Sequence, residues 1–251
     1  MDKFKNFPPI YWMTLDHSTE RQQNMNRQLD YYGLTDRTMI IGYDGKQCDY
    51  LNSDLVSGPY FSQMNSGEVA CAMTHVKAIK HWYETSNTDC AIFFEDDVDF
   101  TITNYWNFTW DDVMSILPND WNIIQLCLIR VEEIDTVRLH MRTNINWSAC
   151  AYLVSRDYAR RIVEDYCPED KYTLFLKGDP KAIPFAENIV YFLGEPYTFT
   201  LPLFTENISF YSGFYPNFIK NTHKDNNIKS NQFVYNWWKE NGKHKTIKDL
   251  L

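Results

Sequence analysis

The chain has 251 residues, 44% of them hydrophobic and 16% aromatic, and a formal net charge of −9. Such a composition belongs to a folded protein with a sizeable core, and the length allows one large α/β domain or two small ones. The acidic balance argues against nucleic acid or an anionic membrane as the main partner, since both require a basic footprint.

Ile10–Leu15 reads as a first buried strand. Asp16-His17-Ser18-Thr19 follows as a turn and helix cap, and a helix runs from about Thr19 to Tyr32, with Met25, Leu29 and Tyr32 on one face and Gly33 ending it. Thr38–Ile41 is a second strand, with Tyr43-Asp44-Gly45 as a turn at its carboxyl end. The strand–helix–strand order suggests a nucleotide-binding half-sheet, while the lack of G-x-G-x-x-G and of a P-loop disfavours dinucleotide and Walker-type sites. Tyr50–Asn65 reads as a loop broken by Gly58-Pro59, and Ser66-Gly67-Glu68 opens a long helix to about Tyr83 that carries His75.

Ala91–Phe94 is a short continuous apolar run, the pattern of a strand buried on both faces. It runs straight into Glu95, Asp96 and Asp97. In open α/β sheets, ligands bind outside the carboxyl ends of the strands. Three adjacent carboxylates there raise one another's pKa or require a cation, and hard oxygen ligands suit a divalent ion. Acidic triplets are also common on solvated turns; the apolar residues on both sides set this one apart.

Asp111–Leu117 is a short helix closed by Pro118, and Asn122–Leu128 another buried strand. Arg130–Arg142 is charged and irregular, a hairpin at an edge. Ser148–Val154 is a strand whose small residues at Ser148–Cys150 would let a ligand approach the backbone; Ser155 caps the helix Arg156–Tyr166. Cys167–Pro184 is a loop, Ala186–Phe192 fits a helix or a strand equally, and Tyr197–Phe204 looks like an edge strand. The tail begins as a loop and ends in an amphipathic helix over Gln232–Glu240.

The six cysteines form no C-x-x-C pair, so neither a zinc ribbon nor a redox motif is expected. Cys71, Cys90, Cys127 and Cys150 read as buried free thiols, which fits a reducing compartment. Met1–Pro9 lacks an apolar run of signal-peptide length, and no stretch reaches the ~18 apolar residues that span a bilayer. The expectation is a cytoplasmic protein with no integral membrane segment.

Four stretches together resemble the family 25 glycosyltransferases, which include lipooligosaccharide galactosyltransferases and collagen-type galactosyltransferase domains. They are Leu15-Asp16-His17-Ser18-Thr19-Glu20-Arg21, Tyr43-Asp44-Gly45, Gly67-Glu68-Val69-Ala70-Cys71-Ala72-Met73-Thr74-His75, and Phe94-Glu95-Asp96-Asp97-Val98. Ala70 stands where the family usually has Gly, and Thr74 where it has Ser. The resemblance implies a GT-A-like, Rossmann-type α/β/α sandwich with a mostly parallel central sheet: a single domain, with residues 10–125 as the nucleotide-sugar half and 126–251 as the acceptor half and irregular C-terminal section. It implies inverting transfer of a hexose, galactose or glucose, from a UDP-sugar to a glycan or glycoprotein acceptor, with Mn²⁺ or another divalent cation. Asp97 would bind the metal directly, with Glu95 touching the metal or the ribose and His223 completing the metal shell. Asp96, Leu15, Asp16, Arg21, Asp44, Gly45 and His75 would form or organise the donor site. Glu187, at a position the family often fills with Asp, is the first candidate for the catalytic base, and Asp179 the second.

Two other readings compete. A metal-dependent hydrolase or nucleotidyltransferase would need further carboxylates or histidines for a two-metal site, and the sequence shows no second close cluster. A non-catalytic carbohydrate-binding relative would keep the fold without needing the intact acidic triplet.

Overall fold

In a computed structural model, the structure describes residues 2–57, 64–129, 136–177, 179, 182–210 and 217–250; for 217–224 and 250 it describes the backbone alone. The strands are β1 (Ile10–Thr14), β2 (Arg37–Ile41), β3 (Val56–Ser57), β4 (Cys90–Glu95), β5 (Val98–Asp99), β6 (Ile123–Gln125), β7 (Leu139–Met141), β8 (Ala151–Ser155), β9 (Tyr172–Thr173), β10 (Pro196–Phe199) and β11 (Thr205–Glu206). The α-helices are α1 (Thr19–Tyr31), α2 (Ser66–Thr85), α3 (Trp110–Ser115), α4 (Arg156–Tyr166), α5 (Ala186–Tyr191) and α6 (Asn217–Asn241).

Seven strands form the main sheet in the order β2-β1-β4-β8-β6-β10-β7. β1 runs parallel to β2 and β4, and β6 parallel to β10. β8 is antiparallel to both β4 and β6, and β7 is antiparallel to β10. Five strands therefore point one way and only β8 and β7 the other, a Rossmann-like α/β sheet of mostly parallel strands.

Both faces of the sheet are covered, which is why its strands read as continuous apolar runs. Tyr11, Met13, Ala91 and Phe93 pack on one face with Val69, Val76 and Ile79 of α2, Ile162 of α4 and Ile189 of α5. Ile10, Trp12, Ile92 and Phe94 pack on the other with Met25 and Leu29 of α1, Val113 of α3 and Trp238 of α6. The helix ends follow local chemistry. Asn65 and Glu68 make a reciprocal capping box at the start of α2, and the Ser155 hydroxyl accepts the Tyr158 N–H at the start of α4. Gly33 follows α1 at φ +67°, a conformation only glycine adopts without strain.

Several local expectations change. The Tyr197–Phe204 run is not an edge strand: β10 lies between β6 and β7, with Pro196 tolerated as its first residue. The edge belongs to β7, inside the stretch expected as an edge hairpin; residues 130–135 of that stretch lie outside the described residues. Ala186–Phe192 resolves as the helix α5. The Gln232–Glu240 helix is the end of the longer α6. The loops either side of α2 and α4 meet through the parallel pair β3–β9, and the Gly58-Pro59 breaker lies outside the described residues. All six cysteines are free, but Cys71 and Cys90 are only partly buried, in contrast to Cys127 and Cys150. Among the described residues, no helix is long and apolar enough to cross a membrane.

Candidate active site

The acidic triplet sits where β4 leaves the sheet, with Glu95 in register with Met13 of β1. Side chains alternate along a strand. Glu95 therefore shares the α2 face with Phe93, and Asp96 turns to the α1 face. Each carboxylate meets a partner from the helix on its own side.

On the α2 side, His75 Nε2 lies 2.9 Å from Glu95 Oε1 and His75 Nδ1 lies 2.8 Å from the Tyr152 hydroxyl. Burial lowers the His75 pKa to about 4, so the ring is neutral. A neutral imidazole has one N–H. With Tyr152 donating to Nδ1, the Nε2–H donates to Glu95. The side chain of Glu95 keeps a third of its surface exposed, open at the rim of the site.

On the α1 side, Asp96 is buried, and both its oxygens are engaged. The Thr14 hydroxyl donates to Oδ2 at 2.6 Å, and Arg21 Nη1 donates to Oδ1 at 2.6 Å. The same nitrogen reaches Asp97 Oδ2 at 3.3 Å, and Arg21 Nη2 donates to the Phe210 carbonyl. Arg21 thus ties the triplet to the segment after β11.

The structure adds a fourth carboxyl group that the sequence reading missed. β11 pairs antiparallel with β5, setting Glu206 opposite Val98 and beside Asp97. Ser148 Oγ donates to Glu206 Oε1 at 2.9 Å, and Asn227 Nδ2 of α6 donates to Oε2 at 2.7 Å. Ser148 is buried at φ +120°, strained for a residue with a side chain. Its own carbonyl accepts from Gln125 Nε2 at 2.8 Å and the Tyr191 hydroxyl at 3.2 Å, which hold it there. One signal in the sequence could have found Glu206: the run Leu201–Phe204 ends two residues before it, much as Ala91–Phe94 ends just before Glu95.

The charges do not balance. Glu95 is pushed up to about 7 by its partial burial and by the charges of Glu187 and Asp96. Asp97 rises to about 7 through burial and Glu95, and Glu206 to about 8 through burial, Asp97 and Glu95. Burial pulls Arg21 down, but Asp97 and Asp96 more than offset it. Four carboxyl groups thus face one guanidinium and a neutral imidazole. That donor set fits a divalent cation, whose charge would relieve the repulsion.

A family model described as glycosyltransferase family 25 (LPS biosynthesis protein) matches residues 7–172. The chain belongs to glycosyltransferase family 25. No curated protein matches it. The match covers β1 through the acidic triplet to β8 and α4. Glu187, Glu206 and α6 lie beyond it.

The other expected residues of this glycosyltransferase fall around the same edge. Leu15 and the exposed Asp16 follow β1, and their carbonyls accept from Gln22 Nε2 at 2.8 and 3.2 Å. Asp44 lies 3.6 Å from His17 Nδ1, joining the turns after β2 and β1. Gly45 presses on the start of α2, where an added Cβ would come within 2.5 Å of Gly67 N and Cα and of Ser66 O. Glu187 sits in the first turn of α5, near enough for its charge to act on Glu95, His75 and Cys71. Asp179 is exposed, in a turn where its N–H donates to the Leu176 carbonyl at 3.1 Å. The side chain of His223 lies outside the described residues.

Proposed function

We propose that this glycosyltransferase is an inverting, metal-dependent enzyme of GT-A type that moves a hexose, galactose or glucose, from a UDP-sugar to a glycan or glycoprotein acceptor. The observation that carries the reading is the excess of carboxylate charge at the carboxyl ends of β1 and β4, the edge where α/β sheets bind ligands.

Asp97 and Glu95 would hold Mn²⁺ or a similar ion. Such an ion supplies Lewis-acid charge to a departing nucleoside diphosphate. Asp96 acts differently: locked by Thr14 and Arg21, it fixes the chain at the end of β4 so that its neighbours project outward. His75 aims Glu95 and, being neutral, adds no positive charge that would repel a cation. Arg21 offers a guanidinium beside the site, and the turns at Leu15-Asp16 and Asp44-Gly45 frame the donor's nucleoside side. Glu187 is the preferred base for the acceptor hydroxyl, with Asp179 second; a base must reach that hydroxyl within hydrogen-bond distance.

Calorimetric titration of UDP into the purified chain, with and without Mn²⁺ and alongside Asp97→Asn, tests the reading. Binding should need both the metal and Asp97. A folded wild type that ignores UDP in the presence of Mn²⁺ would sink the donor assignment.

A further inference from the structure

Next to the acid group lie two thiols that the proposed transfer does not use. Cys127 and Cys150 are each 1% exposed, and neither is in a disulfide. The Cys127 N–H donates to the Ala151 carbonyl at 3.3 Å, which sets Cys127 against the entry to β8 beside Cys150. The sulfur atoms of both and a carboxylate oxygen of Glu206 all lie within 4.8 Å of one another. Cys150 Sγ is also 3.7 Å from Asp97 Oδ1. Two sulfurs and one carboxylate oxygen thus surround one small volume, and Asp97 adjoins it through Cys150.

A tetrahedral zinc ion binds sulfur at about 2.3 Å and carboxylate oxygen at about 2.0–2.2 Å, so its ligand atoms stand roughly 3.5–3.8 Å apart. Among Cys127, Cys150 and Glu206 the spacing found needs a contraction of no more than about 1 Å, within reach of small side-chain rotations. The carboxylate is already oriented from behind by Ser148 and Asn227, the kind of outer hydrogen bonding that metal ligands carry. Asn227 is itself buried, and its Oδ1 has no hydrogen-bond partner among the described residues, an unspent acceptor beside Glu206. The two donor sets differ in kind. Asp97 with Glu95 offers hard oxygens, whereas this group offers two thiols, which as thiolates select softer ions.

We propose that Cys127, Cys150 and Glu206 form a second cation site, of mixed thiolate and carboxylate character, that takes a thiophilic divalent ion such as Zn²⁺ or Cd²⁺. Binding releases the two thiol protons to solvent and changes no oxidation state. The site adjoins Asp97 of the hard-cation site but requires no nucleotide, so it stands or falls apart from the transferase reading.

The test is titration of the metal-stripped full chain with Co²⁺, which reports thiolate ligation through a sulfur-to-cobalt charge-transfer band, followed by displacement with Zn²⁺. One ion per chain is expected, with the band intensity of two thiolates and no need for UDP. Cys127→Ser and Cys150→Ser should each halve the band and weaken Zn²⁺ binding on the order of 100-fold. Cys71→Ser should leave both unchanged. No band at all overturns the proposal. So does a band that survives in Cys127→Ser and vanishes in Cys71→Ser, which would place the ion with Cys71, His75 and Glu95, whose ligand atoms also lie within 4.8 Å of one another. X-ray absorption at the zinc edge of the wild type frees the test from any folding defect of the variants. Two sulfur neighbours are expected, and a shell with fewer overturns the site.

Discussion

His75 holds Glu95 through a single 2.9 Å hydrogen bond, while Tyr152 fixes the far side of the same buried ring at 2.8 Å. The three residues come from α2, β4 and β8, so the orientation of one carboxylate is set by three separate elements. Tyr152→Phe would leave the buried Nδ1 without a partner, at a cost of about 1–3 kcal/mol. In a chain of this size that lowers Tm by roughly 2–4 °C per kcal/mol. Thermal unfolding should show the loss. UDP calorimetry should show weaker Mn²⁺-dependent binding in His75→Ala than in Tyr152→Phe, because only His75 touches Glu95.

Asp96 and Asp97 should respond in opposite directions to the same chemical change. Asp97→Asn removes a charge from a crowded group, so the metal-free chain should be as stable as wild type or more so near pH 8, while Mn²⁺-dependent UDP binding is lost. Asp96→Asn weakens the contacts to Thr14 and Arg21 and should cost about 1–3 kcal/mol of stability. Melting curves for the two variants, measured without metal, give the comparison. Equal destabilisation of both would contradict the charge imbalance described above.

Stability without metal should fall as the solution becomes more alkaline. Glu95 and Asp97 keep their protons up to about 7 and Glu206 up to about 8 in the folded chain, well above their ordinary values of 4.5, 3.8 and 4.5. The folded state therefore binds more protons than the unfolded state across that window, and stability drops as pH rises through it. His75 acts in reverse: lowered from 6.5 to about 4, it adds stability as pH rises between those values. Above about pH 6.5 the carboxyl groups set this trend, and the buried thiols, held above their ordinary range, reinforce it at its alkaline end. The expected result is a metal-free Tm that falls from about pH 6.5 to 8.5, with saturating Mn²⁺ reversing most of the fall. By the same linkage, Mn²⁺ affinity should weaken as pH drops below about 7. A flat metal-free profile would argue against the raised carboxyls.

Gly45 should not tolerate even a methyl group. The atoms an added Cβ would meet at 2.5 Å are backbone atoms at the start of α2, which cannot rotate away. Gly45→Ala should cost about 1–3 kcal/mol through overpacking, read as a lower midpoint in urea unfolding. It should also disturb the neighbouring Asp44, seen as weaker UDP binding under conditions where the variant is fully folded.

Ser148 offers a test of stored strain. Ser148→Ala keeps the strained φ and loses the hydroxyl that donates to Glu206 and accepts the Cys150 N–H at 3.0 Å. Ser148→Gly loses the same hydroxyl but relaxes the backbone, a gain of about 1 kcal/mol. The order of Tm should be wild type, then Gly, then Ala. Ala above Gly would mean that the φ of +120° carries no strain.

The amino-terminal part of this architecture is written locally. β1, α1, α2 and β4 each carry their own period or apolar run, and the triplet announces itself by following one. The wiring around it does not. That Glu95 faces His75 and Asp96 faces Arg21 depends on strand alternation, which the sequence implies, and on helix placement, which it does not. Glu206 reaches the site through a two-residue strand, too short to show a period, paired across more than a hundred positions. α5 is ambiguous in sequence because six residues of mixed character fit either state. Pro196 and Pro202 make the Tyr197–Phe204 stretch read as an edge, yet Pro196 stands at the first position of β10, where a sheet interior accepts it.

The long carboxyl-terminal helix has a bearing on how such enzymes can be recombined. Asn227 clasps the Glu206 carboxylate, Asn231 Nδ2 donates to its backbone carbonyl at 2.7 Å, and Trp238 Nε1 donates to the Pro202 carbonyl at 3.0 Å. These three bonds bolt α6 onto β11, which brings Glu206 to Asp97, and onto the segment leading into it. A chimera joined after the family-matched stretch would thus exchange part of the charged edge together with whatever else the new tail brings. Grafts intended to alter acceptor choice should carry β11 and α6 as one block, or restore Glu206, Asn227 and Asn231 in the recipient.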